Sequence, residues 1–181
     1  MKIIDTKIND VKIIEPFIFN DNRGYFFEAW NKKNYKASGI NCEWIQDNES
    51  HSSFGVLRGL HYQIAPYIQA KLVRVIKGKV LDVAVDIRKD SQTFGKYVAV
   101  ELSDENTRQL YIPRGFAHGF IVLSKEAIFS YKCDNEYNKL SERGIMYDDL
   151  TLNIDWKLPS NFWVLSEKDM KHDSFFSAEY L

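Results

Sequence analysis

From Leu81 to Ile87 the chain alternates strictly. Leu81, Val83, Val85 and Ile87 are apolar, whereas Asp82, Ala84 and Asp86 are acidic or small. Successive side chains of a strand point to opposite faces, so a period of two reads as a half-buried β-strand and not as a helix. The same pattern recurs nearby. Residues 71–76 and 80–87, separated by Lys77-Gly78-Lys79, read as two strands around a glycine turn. Residues 96–102, 109–112, 119–123 and 128–133 read as further strands, with turn chemistry in Ser103-Asp104-Glu105-Asn106 and Ser124-Lys125-Glu126. Helical pattern is confined to residues 31–38 and 166–171. With no repeat, linker or low-complexity segment, residues 1–181 are expected to form one domain. Many short, closely spaced strands predict an antiparallel sandwich or small barrel whose interior could hold a ligand.

Composition narrows the function. Hydrophobic residues make up 45% and aromatics 14%, enough for a packed core. A formal net charge of -1 supplies no basic field for nucleic acid or an anionic membrane, so neither is expected as a partner. An anionic ligand would have to be held by a few local cations. The N-terminal MKIIDTKINDVKII is broken by charges and offers no signal-peptide core, and no apolar run approaches the roughly 18–20 residues of a membrane span. Cys42 and Cys133 are far apart and fit no metal spacing, which suits two reduced thiols in the cytoplasm.

Three clusters could carry chemistry. In Arg58-Gly59-Leu60-His61-Tyr62-Gln63 a guanidinium precedes an imidazole by three residues. In one regular strand the two would face opposite sides, and a bulge or bend at Gly59 would reconcile them. Lys71 opens an apolar strand; turned inward, it becomes a cation in a low-dielectric pocket. In Ile112-Pro113-Arg114-Gly115-Phe116-Ala117-His118-Gly119-Phe120 two glycines flank a histidine. Tyr131, Cys133 and Tyr137 can face one cavity. Ser166 and Asp169 fit a helix-capping pattern, and Asp169 could instead orient an imidazole. The four histidines, His51, His61, His118 and His172, include no His-x-His pair, and no glutamate closely follows His61. Neither a metal nor another cofactor is therefore expected.

Gly55 to Gln63, Ala70 to Val75, Val83 to Arg88 and Ile112 to Phe120 resemble the dTDP-4-dehydrorhamnose 3,5-epimerases. So do Arg23 to Glu28, Gln46-Asp47-Asn48, Tyr131-Lys132 and Leu165 to Asp169. The similarity covers nearly the whole chain. It implies an all-β, antiparallel, cupin-like jelly-roll barrel with a few short helices, working as a homodimer on a dTDP-linked 4-keto sugar without a metal.

The ketone of such a sugar acidifies the C–H bonds at C3 and C5. By match to the family, His61 is the base, Asp169 fixes its tautomer, and Tyr131 returns a proton from the opposite face. Lys71, helped by His118 or Arg58, would stabilise charge on the ketone oxygen. Arg23, Glu28, Gln46, Asn48, Arg58 and Lys168 match positions lining the nucleotide–diphosphate cleft, and Phe26 and Tyr137 match positions that pack on nucleotide or sugar. Glu142 and Arg143 match a further part of the cleft. Glu49, His51, Phe54 and Glu136 depart from the family pattern near the cleft. They leave open a related nucleotide sugar or epimerisation at C3 alone. A non-catalytic sugar-nucleotide-binding jelly roll is the other alternative.

Overall fold

The computed structural model describes residues 1–180. In chain order the strands are β1 (Lys2–Asp5), β2 (Lys12–Glu15), β3 (Phe19–Asp21), β4 (Gly24–Phe26), β5 (Gln46–Ser53), β6 (Leu57–Gln63) and β7 (Lys71–Lys77). They continue with β8 (Lys79–Asp86), β9 (Tyr97–Ser103), β10 (Gln109–Ile112), β11 (Phe116–Val122), β12 (Glu126–Cys133) and β13 (Glu142–Gly144). Helix α1 (Lys32–Ala37) starts at Asn31, whose side chain accepts the Asn34 N–H at 3.1 Å.

Two antiparallel sheets face each other, ordered β1-β2-β10-β7-β12-β5 and β13-β6-β11-β8-β9, with β3 and β4 as a separate hairpin. This is the jelly-roll arrangement that the resemblance implies. The interior between the sheets is filled from both sides. Val73, Val75, Leu110 and Phe129 of the first sheet meet Val80, Val100, Phe116 and Phe120 of the second. Phe120 and Phe129 stack across the gap with centroids 4.2 Å apart. Burying each such side chain contributes about 1.5–3 kcal/mol, so this apolar layer fixes the distance between the walls of the site.

The strand over residues 80–87 departs from its expected half-burial: β8 is buried along nearly its whole length. Its odd positions, Leu81, Val83 and Val85, lie under a second apolar cluster with Ile145, Leu152, Trp156 and Phe175 from the C-terminal segment. Its even positions face the interior, where Asp82 and Asp86 are buried. Alternation identified the strand but not that both faces are covered. Asp82 is met by His118, and Asp86 by Arg88, Ser91 and Thr93.

Gly78, at φ +82°, does turn the chain between β7 and β8, but the two strands belong to different sheets and do not pair. The helix expected over residues 166–171 is a single 3-10 turn, Asp169–Lys171. Ser166 Oγ accepts the Asp169 N–H at 3.1 Å, so the capping contact forms although the helix does not extend.

Candidate active site

Strand β6 carries the site's histidine. Against β11, His118 pairs with His61 and Phe120 with Arg58, two steps on one strand against three on the other. The extra residue on β6 is a bulge at Gly59, which adopts φ +131°. A Cβ there would lie 2.6 Å from Gly119 Cα, so only glycine fits. The bulge puts Arg58 and His61 on one face despite their odd spacing, and both line the same cavity. Arg58 is anchored there by the Ser52 hydroxyl, 3.2 Å from Nε and 3.1 Å from a terminal nitrogen.

The cavity has two adjoining lobes of about 120 and 300 Å³ that share Asn48, His61, Lys71 and Tyr131. His61 comes from one sheet; Lys71 on β7 and Tyr131 on β12 come from the other. Lys71 Nζ lies 5.8 Å from the centre of the Tyr131 ring. A sugar ring held between them would meet an imidazole on one face, a phenol on the other and an ammonium at its edge.

His61 Nε2 lies 2.5 Å from Asp169 Oδ1, and Asp169 Oδ2 accepts the Ser166 hydroxyl at 2.8 Å. The carboxylate favours the Nε2–H tautomer and leaves Nδ1 as the nitrogen able to take a proton. Burial lowers the His61 pKa below its ordinary value, against the opposing pull of Asp169. Neutral imidazole is thus the resting form. Burial opposes ionisation of Asp169, yet the imidazoles of His172 and His61 outweigh it and hold the carboxyl far below the usual range. Desolvation also lowers Lys71 and raises Tyr131, which keeps the phenol protonated and ready to donate.

Around the mouth, Gln46 Nε2 donates to Asn48 Oδ1 at 3.0 Å, and the Tyr137 N–H donates to Gln46 Oε1 at 3.0 Å. Tyr137 OH donates to Glu142 Oε2 at 2.9 Å, and Lys168 Nζ lies 2.5 Å from the same oxygen. Tyr131, Cys133 and Tyr137 share the smaller lobe as their spacing suggested. His118 lines the larger lobe but its Nε2 is engaged by Asp82 at 2.8 Å, a partner that the sequence reading missed.

Four residues matched to the cleft lie elsewhere in this chain. Arg23 pairs with Asp21 on the exposed β3–β4 hairpin, where Phe26 is 69% exposed. Glu28 accepts from Asn31 and Asn34. Phe26 and Glu28 border a separate aromatic hollow of about 710 Å³. Arg143 alternates with Glu142 on β13 and turns outward to Glu179. His172, counted among the histidines in the sequence but given no place in the site, sits beside Asp169; the signal available was its three-residue spacing, one turn of 3-10 helix. Among the described residues, His61, Asp169 and His172 form the one group able to hold a metal ion, with donor atoms within 4.8 Å of one another.

Residues 5–177 match the family model described as dTDP-4-dehydrorhamnose 3,5-epimerase. The chain belongs to that family. The dTDP-4-dehydrorhamnose 3,5-epimerase of Shigella flexneri is 55% identical over 181 residues, covering 99% of each chain. The crystal structure of the enzyme from Elizabethkingia anophelis NUHP1 superposes with a TM-score of 0.93 at 54% identity, covering 97% of each chain. That of the 3,5-epimerase from Legionella pneumophila Philadelphia 1, in complex with dTDP-4-keto-L-rhamnose, gives 0.94 at 51% identity, covering 97% of this chain and 93% of that one. The epimerase described here is therefore an isomerase with the cupin-like jelly-roll fold, acting at C3 and C5 of a dTDP-linked 4-keto-6-deoxy-hexose. Among its described residues no helix is long and apolar enough to cross a membrane.

Proposed function

We propose that this epimerase converts dTDP-4-dehydro-6-deoxy-D-glucose to dTDP-4-dehydro-L-rhamnose by proton transfer through an enolate, with His61 and Tyr131 on opposite faces of the sugar. The observation that carries this reading is the placement of the two groups on facing sheets of one cavity. His61 removes the proton at Nδ1, and the imidazolium is stabilised by Asp169. As the C–H bond breaks, charge moves to the ketone oxygen, where Lys71 acts as its cation with Arg58 near by. Tyr131 then delivers a proton to the other face. Gln46, Asn48, Tyr137, Glu142 and Lys168 frame the mouth through which the nucleotide would extend.

A homodimer accounts for Arg23, Phe26 and Glu28. The β3–β4 hairpin and the segment before it expose Phe17, Phe19, Tyr25 and Phe26, a surface that one chain leaves uncovered. Association of two copies would cover it and bring one protomer's hairpin to its partner's cleft, supplying Arg23 for the diphosphate and Phe26 for the base. Nucleic acid has no place in this reading. A cytoplasmic location goes with it, since the substrate is a nucleotide sugar and both cysteines are free.

Proton NMR of the substrate in heavy water with enzyme tests the reaction. Loss of both H3 and H5 signals is expected. Loss of H3 alone would make the chain a C3 epimerase, and no exchange would make it a binding protein.

A further inference from the structure

His172 has no part in the mechanism above, yet its Nε2 is buried and has no hydrogen-bond partner among the described residues. The side chain is 9% exposed, and Nε2 stands 3.3 Å from Asp169 Oδ1 without hydrogen-bond alignment. The same carboxylate oxygen lies 2.5 Å from His61 Nε2, and the two imidazoles meet edge to face with centroids 5.4 Å apart. The ring is held in place. It packs where a side chain on Gly144 would collide with it, and the Met146 N–H donates to the Asp173 carbonyl at 2.8 Å.

We infer that His61, Asp169 and His172 form a binding site for a zinc-class divalent ion, whose occupancy switches the catalytic base off. Two imidazole nitrogens and one carboxylate oxygen are the donor set that zinc favours, and an open fourth position would hold water from the cavity. Tetrahedral donors at about 2.0–2.2 Å from zinc stand about 3.3–3.5 Å from one another. The Asp169–His172 separation already matches. As the ion enters, the His61–Asp169 contact would open by about 1 Å and the two imidazole nitrogens, which lie within 4.8 Å of one another, would settle at the same tetrahedral spacing, with His61, 30% exposed, the side chain that moves.

The inhibition follows from counting protons. A neutral imidazole carries one N–H. At rest it sits on Nε2, facing Asp169, and Nδ1 holds the lone pair. Zinc takes the Nε2 lone pair, so the ring's single proton moves to Nδ1. The proton that Asp169 formerly faced is not lost to the ring, and no nitrogen remains to accept one from the sugar. The site itself does not depend on any catalytic role; its inhibitory effect rests on His61 being the base.

The full-length protein, stripped of metal, would be titrated with Zn²⁺ against a chromophoric chelator and with Co²⁺ by visible absorption. One Zn²⁺ per chain and an intense, tetrahedral-type Co²⁺ band are expected, with turnover falling in step with zinc occupancy at buffered free Zn²⁺. His172→Gln, checked for folding by its melting transition, should weaken Zn²⁺ binding at least about tenfold and raise the inhibitory concentration by the same factor. Gly144→Ala, which displaces the His172 ring, should act in the same direction. Weak octahedral Co²⁺ absorption in the unaltered protein would overturn the site. So would Zn²⁺ binding that His172→Gln leaves unchanged and that His51→Gln, at the surface pair with Glu126, abolishes. Binding that depends on His172 with turnover unaffected would uphold the site and remove His61 as the base.

Discussion

Exchange of a proton at carbon requires one group beside it, whereas inversion requires two on opposite faces. Because His61 and Tyr131 reach the cavity from facing sheets, their removal should have different consequences. His61→Ala should abolish both solvent exchange and epimerisation, since no enolate forms. Tyr131→Phe keeps the ring against Phe129, 6.0 Å between centroids, and deletes only the hydroxyl. It should preserve deuterium incorporation at C3 while cutting inverted product by about 10²-fold or more, read by NMR in heavy water. Normal inversion by Tyr131→Phe would mean that the acid is another group, with Tyr137 in the same lobe the next to substitute. At this scale the sequence itself offered only candidates. The role of Asp169 came from family resemblance, because Ser166 and Asp169 alone read equally well as a cap. His172 and Asp82 act through contacts made only after distant segments meet.

Among the elements, β6 depends most on a single residue. Gly59 sits at φ +131° with Gly119 Cα and the His118 carbonyl close where a side chain would begin. Gly59→Ala should cost about 2–4 kcal/mol in chemical denaturation, from unfavourable φ and overpacking together. If it folds, it should lose activity further, because straightening the bulge parts Arg58 from His61. Substitution at Gly24, where a Cβ would meet nothing, is the matched control; wild-type stability for Gly59→Ala would dismiss the bulge as the cause. Strands β7, β9, β10 and β12 were legible within a residue or two because their inward positions are apolar and packed. Strand β5, Gln46–Ser53, was not. Its sequence QDNESHSS has no hydrophobic alternation, although burial alternates along it. Its inward side chains face a polar cavity, so a cavity-lining strand carries the composition of a loop. Gln46 and Asn48 were visible as a motif while the strand beneath them was not.

For the whole molecule, buried charge sets the response to acid. Hydrogen bonds from Arg88, Ser91 and Thr93 outweigh the burial that opposes ionisation, and hold the Asp86 carboxyl at about 2, below its ordinary 3.8. A carboxyl depressed on folding stabilises the native state fully above its unfolded value, and that contribution fades as pH falls through its folded one. The melting temperature should therefore drop between about pH 4 and pH 2. Asp86→Asn should melt lower than wild type at pH 7 but fall less over that interval; parallel curves would rule Asp86 out as the source.

The double burial of β8 reaches beyond stability. The strand is hydrogen-bonded to β9 on one edge and β11 on the other, and each of its faces belongs to a different apolar cluster. Its amides can meet solvent only when both clusters separate, so partial opening of either layer leaves them shielded. In native-state hydrogen exchange the amides of Val83, Ala84 and Val85 should be the last to take up deuterium, at the rate of global unfolding. The strand that looked half-wet in the sequence becomes the slowest clock in the protein.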